Sequence, residues 1–214
     1  LISEDGTTFV GFMDSEESIR AAQFYADLYN EYGVAPPPAD LSAFGGGNSE
    51  FDNGQAAMRI FGRWPQGGML ENPNIDLGVV NPPADAQPAN ILFWGGFGVS
   101  STADDPQAAC EFLSYYAGPE AADVWKDWAL PAVTSVAEES GISDDPLNGA
   151  WIDGLDNLQP RAYTFTPFWN ETADPALRTA LETIILDPEA DVAAVMQQAA
   201  QTAQASLEEE LANQ

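Results

Sequence analysis

The chain has no histidine, a single cysteine (Cys110) and a single lysine (Lys126) in 214 residues. Without histidine there is no Ser-His-Asp or Cys-His catalysis and no histidine-based zinc site. One cysteine allows neither an intramolecular disulfide nor a cysteine-rich metal centre. It lies in AACEFLSYY, whose apolar neighbours predict a buried, inert thiol. Six basic residues face 34 acids, a formal charge of −28. A field of that sign repels nucleic acid and anionic lipid, so neither is expected as a partner. No run approaches the roughly 18 apolar residues of a membrane span. No positively charged, cleavable apolar start is present, so the chain is expected to be soluble and to carry no address of its own. The calcium-loop pattern is missing too, since DDPLNG and DGLDN lack its spacing. No metal and no cofactor is expected. Among enzymes, a glycosidase working through two carboxylates stays open, although no motif favours one.

What is present is a core-forming composition, 45% hydrophobic and 11% aromatic. That is enough for one large domain or two small ones and argues against disorder. Abundant acid beside almost no lysine suits a salt-adapted surface, on which screening shortens self-repulsion to a few ångströms.

Helix signals recur along the chain. DSEESIRAAQFYADLYNEYG (14–33) predicts an amphipathic helix capped by Asp14, with Ala21, Phe24, Tyr25, Leu28 and Tyr32 on its apolar face. Pro36, Pro37 and Pro38 forbid its resumption. The glycine-rich AFGGGNSE (43–50) lacks the GKS or GKT of a phosphate loop and is read as a flexible loop. A short helix at 49–56 and a strand at 57–62 follow. IDLGVV (75–80) and ANILFWGGFGVSS (89–101) read as strands, the second interrupted by Gly95 and Gly96. DDPQAACEFLSYYAG is a helix capped by Asp105, with PEAADVWKDWA behind it. Residues 130–145 are loop-like, and DPLNGAWIDGLDNL is a short helix. RAYTFTPFW (161–169) is read as extended. Helices at 174–186 and 188–211 close the chain, the last with Val192, Val195, Met196, Ala199, Ala203 and Leu207 on one face. Mingled helices and short strands place the fold in the α/β class.

The distinctive feature is aromatic residues set at breaks. FDNGQAAMRIFGRWP (51–65) holds two of the six bases and ends on Trp64 just after Gly62. Trp94 and Phe97 flank Gly95-Gly96, and Trp169 ends the third segment. Open α/β sheets take ligands outside the carboxyl ends of their strands. Indoles stack on sugar faces there, and glycine exposes backbone amides. Packing competes with that reading at every tryptophan. Trp125, Trp128 and Trp151 are assigned to packing.

On these residues the chain resembles the extracellular solute-binding proteins of ABC importers, of the sugar-binding, maltose-binding-protein-like group. FDNGQAAMRIFGRW is similar to the family's F-x-x-G-x-x-A-M…G-x-W segment. SEESIRAAQFYADLYNEYGVAP resembles the helix that precedes it, and NILFWGGFGVSSTADDPQAACEFLSYYAGPEAADVW the Gly-Gly strand and paired helices that follow. LPAVTSV and the stretch from RAYTFTPFW onward resemble the C-terminal end.

The resemblance implies a periplasmic-binding-protein-like type II fold, two α/β lobes joined by a hinge with the ligand in the interlobe cleft. Residues 1–88 and 131–214 would form the C-terminal lobe, and 89–130 would be a segment of the N-terminal lobe. The signal peptide and the rest of that N-terminal lobe would be missing from these residues. It also implies a binding protein rather than an enzyme, with a small-molecule sugar ligand, ABC permease partners and an extracytoplasmic location. Trp64 matches the stacking aromatic, and Gly62 would let the chain turn there. Trp94, Gly95, Gly96 and Phe97 match the Gly-Gly segment at the cleft, and Trp169 lies near a second stacking position. Arg63 and Arg161 would hydrogen-bond ligand hydroxyls or form surface salt bridges. A polyamine or other cationic ligand, and less readily a glycoside hydrolase or lectin, are the alternatives.

Overall fold

Short polar side chains decide where the long helices start. The computed structural model describes residues 1–36 and 49–213. Its α-helices there are α1 (Glu16–Asn30), α2 (Ser49–Asp52), α3 (Gln66–Glu71), α4 (Pro106–Tyr116), α5 (Pro119–Trp125), α6 (Thr134–Glu139), α7 (Pro146–Asp153), α8 (Ala173–Leu186) and α9 (Val192–Ala212). Asp105 accepts a hydrogen bond from the Ala108 amide at 3.0 Å, and Asp191 one from Ala194 at 3.1 Å. Each carboxylate satisfies an otherwise orphaned amide of the first turn. Pro106, Pro119 and Pro146 occupy first turns, where the missing N–H costs nothing. At α1 the cap is Ser15, which accepts from Ser18 at 3.2 Å, and not the predicted Asp14. Asp14 instead accepts from the Gly11 amide in the preceding turn.

The chain divides into two units, Leu1–Gly47 with Pro160–Gln214, and Asn48–Gln159. In the first, α8 and α9 pack together and α1 packs on both. Phe9, Met13, Ile184, Met196 and Leu207 are fully buried at their meeting. The buried face of α9 runs Val192, Met196, Ala199, Ala200, Ala203 and Leu207, nearly the predicted stripe. For α1 the stripe is rotated. Ala22 and Ala26 are buried, while Phe24, Tyr25 and Tyr32 are exposed. Alanines at those two positions meet alanines on α8 and α9, so small side chains bring the helices into contact.

The N-terminal segment is tied into this unit from the far end of the chain. The Phe9 amide donates to Gln204 Oε1 at 2.8 Å, and Gln204 Nε2 donates to the Thr7 carbonyl at 3.3 Å. Gly6 sits at φ +72°, and a Cβ there would lie 1.9 Å from the Phe165 carbonyl oxygen. Two reasons therefore demand glycine, handedness and space.

The second unit gathers α2 to α7. Among the described residues it contains long stretches without regular structure and no ladder. The predicted strands at 57–62, 75–80 and 89–101 are unpaired except for one parallel bridge between Asn90 and Leu158. A strand is completed by its neighbour's backbone, and beyond that bridge these segments find none within the described residues. Two α/β lobes are thus not what these residues display. Exposure follows: Met58 and Val80 are each 87% accessible, so 75–80 is not the buried strand expected.

Other expectations are corrected in the same way. RAYTFTPFW is not extended but opens with a 3-10 turn, Ala162–Thr164, in which the Thr164 hydroxyl donates to the Arg161 carbonyl at 2.7 Å. Residues 130–145 are not loop throughout: α6 and a 3-10 turn, Ile142–Asp144, form around the buried Val136 and Ile142. Cys110 is exposed, because α4 buries none of its residues. Trp125 and Trp128 are exposed as well, against their assignment to packing, although Trp125 keeps an edge-on contact with Tyr116. The glycine-rich stretch at 43–50, up to Asn48, and Pro37 and Pro38 lie outside the described residues.

Candidate functional site

The GRWP turn of the second unit carries the most developed arrangement. Trp64 folds back across Gly62, and a Cβ on that glycine would lie 1.8 Å from Cζ3 of the indole and 2.3 Å from Cε3. Gly62 is not at positive φ, so its role is to leave room for a ring, not to permit a left-handed turn. Phe61 and Phe93 brace the indole, their ring centroids 4.8 and 5.7 Å away at tilted and edge-on angles. Trp64 is nonetheless 55% accessible. A large apolar face, held in place and left open to water, is a surface on which a flat or ring-shaped ligand can lie.

Beneath the turn lies a polar network. Arg63 donates from Nε to Asn148 Oδ1 at 2.9 Å and from Nη2 to the Lys126 carbonyl at 3.0 Å. Gln66, buried at the start of α3, donates to the same Asn148 oxygen at 3.2 Å and accepts from the Trp151 indole at 2.6 Å. Asn148 completes its own complement by donating to Asp145 at 2.5 Å. Arg63 Nη1 is buried with no hydrogen-bond partner. Burial lowers the guanidinium pKa from its usual value, and Asp127 and Asp145 oppose that shift. Trp151 is a packing residue with a hydrogen bond, as its assignment requires.

Trp94 and Phe97 are 69% and 70% accessible. A side chain at Gly95 would meet open space, and one at Gly96 would come within 3.2 Å of the Trp94 ring. Phe97 packs edge-on against Tyr116 of α4 at 4.7 Å, and Tyr116 packs against Trp125 at 5.8 Å. Phe93, one residue before Trp94, is the link that brings this segment to Trp64. The remaining two candidates lie in the first unit. Trp169 is half-buried against its core, edge-on to Phe9 at 6.1 Å. Arg161 sets its guanidinium 4.7 Å above the Tyr163 ring. Two shallow depressions of that unit, one beside Asp14 and Asp191 and one beside Asp27 and Asp187, contain none of the predicted residues.

Sequence reasoning missed Gln66, Phe93 and Asn148. Phe93 stood in a predicted strand, where an inward or outward position was not decided. Gln66 and Asn148 are 82 residues apart, and nothing in either neighbourhood announces the other.

The sequence profile of the bacterial extracellular solute-binding proteins matches residues 2–150. The chain belongs to that family. No protein of curated function matches it by sequence. Among solved structures, UgpB from Mycobacterium tuberculosis, crystallised in complex with glycerophosphocholine, superposes on 93% of this solute-binding chain with a TM-score of 0.66 and 19% identity. The match takes in 51% of UgpB, so the chain spans about half the length of that relative. At this identity the likeness establishes a shared fold. The profile and the fold agree with the resemblance read from the sequence, and the family is one of extracellular binding proteins.

Proposed function

We propose that this solute-binding protein is the substrate-binding component of an ABC importer, which takes a sugar or oligosaccharide into a cleft between lobes and delivers it to a membrane permease. The observation that carries the reading is Trp64, an exposed indole seated on Gly62 and braced by two phenylalanines. Trp94, Gly95, Gly96 and Phe97 are the further contacts we assign in the second unit, and Trp169 and Arg161 in the first. Residues 89–130 then belong to the N-terminal lobe, the rest of which is supplied by chain outside these residues. The exposure of residues 91–98, which join no ladder, and of α4, which buries none of its residues, supports this assignment. Ligand binding would shift the population towards a closed form that the permease recognises. The acidic, lysine-poor surface supports a habitat of high salt, and anchoring at the cell surface would come from an N-terminal region.

A second reading has its own support. The relative holds glycerophosphocholine, a zwitterion in which a phosphodiester joins glycerol to a quaternary ammonium. Aromatic faces suit the ammonium head, and an acidic field suits a polyamine, so a choline-bearing or polyamine ligand is the alternative.

Tryptophan fluorescence of the full-length protein, titrated in molar salt with mono- and oligosaccharides, glycerophosphocholine and spermidine, separates the readings. A saturable change with one class names the ligand. Trp64→Ala is expected to weaken that ligand by ~1–3 kcal/mol, the range for rings stacked on aromatic side chains. Unchanged affinity in that variant removes Trp64 from the site.

A further inference from the structure

We infer that Asn148 is a positioning residue for the Trp64 platform, and that Arg63 serves as its latch. The inference rests on the reading of Trp64 as a ligand surface. Among the described residues Trp64 has no hydrogen bond from its own indole to hold it, and its ring stands on a glycine within a turn. What fixes the turn is the side chain on either side of it in sequence. Arg63 precedes the tryptophan and Gln66 follows Pro65, and both donate to one oxygen, Oδ1 of Asn148. The two ends of the GRWPQ turn therefore converge on a single acceptor carried by α7.

That acceptor is itself held rigid. Asn148 Nδ2 donates to Asp145, whose carboxylate also accepts the Asn148 amide at 3.2 Å as the cap of α7. Gln66 is oriented from its other end by the Trp151 indole, one turn further along the same helix. Every polar atom of the Asn148 side chain is thus committed. The amide-to-amide arrangement leaves no freedom to flip: Oδ1 must face the two donors, and Nδ2 must face Asp145. Arg63 has two of its nitrogens tied and the third enclosed away from water, a geometry for holding the turn down. Displacement of either partner would leave buried donors unsatisfied, so the network has few intermediate states.

The test reads the indole without needing a ligand. Full-length protein labelled with 5-fluorotryptophan gives one fluorine resonance for each tryptophan, and Trp64→Phe assigns the line of interest. In Asn148→Ala the Trp64 line is expected to shift or broaden while the Trp169 line, in the other unit, stays put. Exchanging the pair, Asp145→Asn with Asn148→Asp, keeps both acceptor contacts at position 148 and a donor between the two side chains, and is expected to return the Trp64 line towards its original position. A Trp64 line that is the same in Asn148→Ala as in the parent, or an Asp145→Asn/Asn148→Asp exchange that fails to restore it, overturns the inference. Should Asn148→Ala lose its fold, Trp151→Phe removes one N–H from the far end of the network. It is expected to move the Trp64 line less, and no movement there also overturns the inference. Titration with maltose and with glycerophosphocholine keeps the two ideas apart. Binding in the parent that weakens in Asn148→Ala to the level of Trp64→Ala supports both. A Trp64 line that responds to Asn148→Ala but to neither probe upholds the positioning role and counts against the platform.

Discussion

Gly62→Ala is the sharpest perturbation of the Trp64 turn. The added methyl carbon would stand 1.8, 2.3 and 2.4 Å from three atoms of the indole. Carbon atoms at rest lie about 3.5–4.0 Å apart, so the ring must retreat by roughly 2 Å or rotate away. Either movement takes it off Phe61 and Phe93. Aromatic pairs of this kind contribute about 0.5–1.5 kcal/mol each beyond area burial, which puts the loss near 1–3 kcal/mol. Alanine recovers some of this, because a residue outside the left-handed region restricts the unfolded chain by about 0.4–1 kcal/mol more than glycine does. The net expectation is destabilisation of about 0.5–2 kcal/mol. In a Trp64→Ala background the obstacle is gone, and the same glycine substitution should be neutral or slightly stabilising. Urea unfolding of the four proteins of this cycle, compared at equal slope, yields the coupling. An equal cost of Gly62→Ala in both backgrounds would refute the claim that the glycine exists to seat the indole.

Three further expectations concern the first unit. Gly6→Ala combines a positive φ with a Cβ 1.9 Å from the Phe165 carbonyl, a backbone atom that cannot swing aside. It should cost more than Gly62→Ala, with loss of the native melting transition as the extreme result, and parity between the two would argue against it. Leu207→Ala empties a fully buried position and should cost about 2–5 kcal/mol by chemical denaturation. Tyr29 is held protonated to higher pH than a free tyrosine, by burial first and by its hydrogen bond to Tyr25 second. An unfolded tyrosine ionises near pH 10, so the folded state binds more protons above that pH and its stability falls there. Tyr29→Phe should flatten that alkaline decline, which a series of melts between pH 9 and pH 11 would reveal.

The helices were legible because their signals are local. Asp105 with Pro106, and Asp191 before an apolar stripe of period 3.6, need nothing from elsewhere in the chain to be read. The face of α1 was misread because hydrophobicity alone favours its aromatics. The structure buries Ala22 and Ala26, where neighbouring helices also offer alanine, and size decides. The segments read as strands form no ladder among the described residues, since pairing is a property of two segments and cannot be read from one. At the candidate site, the exposed tryptophan followed by proline could be seen in sequence. The Arg63–Asn148 bond could not, as it joins residues 85 apart with no periodic relation.

The link between Phe9 and Gln204 spans 195 positions. A core that needs both Phe9 and α9 cannot close until α9 has been made. Phe9, Met13 and the alanine face of α1 must wait until α9 has emerged, and closing so long a loop is slow. Residues 48–159 meanwhile sit between two halves of a unit that has no interior yet. For a protein that acts outside the cell this order of events is useful. While Phe9, Met13 and α1 have no partner the nascent chain stays thin enough to be threaded, and it acquires this interior only once α9 is through.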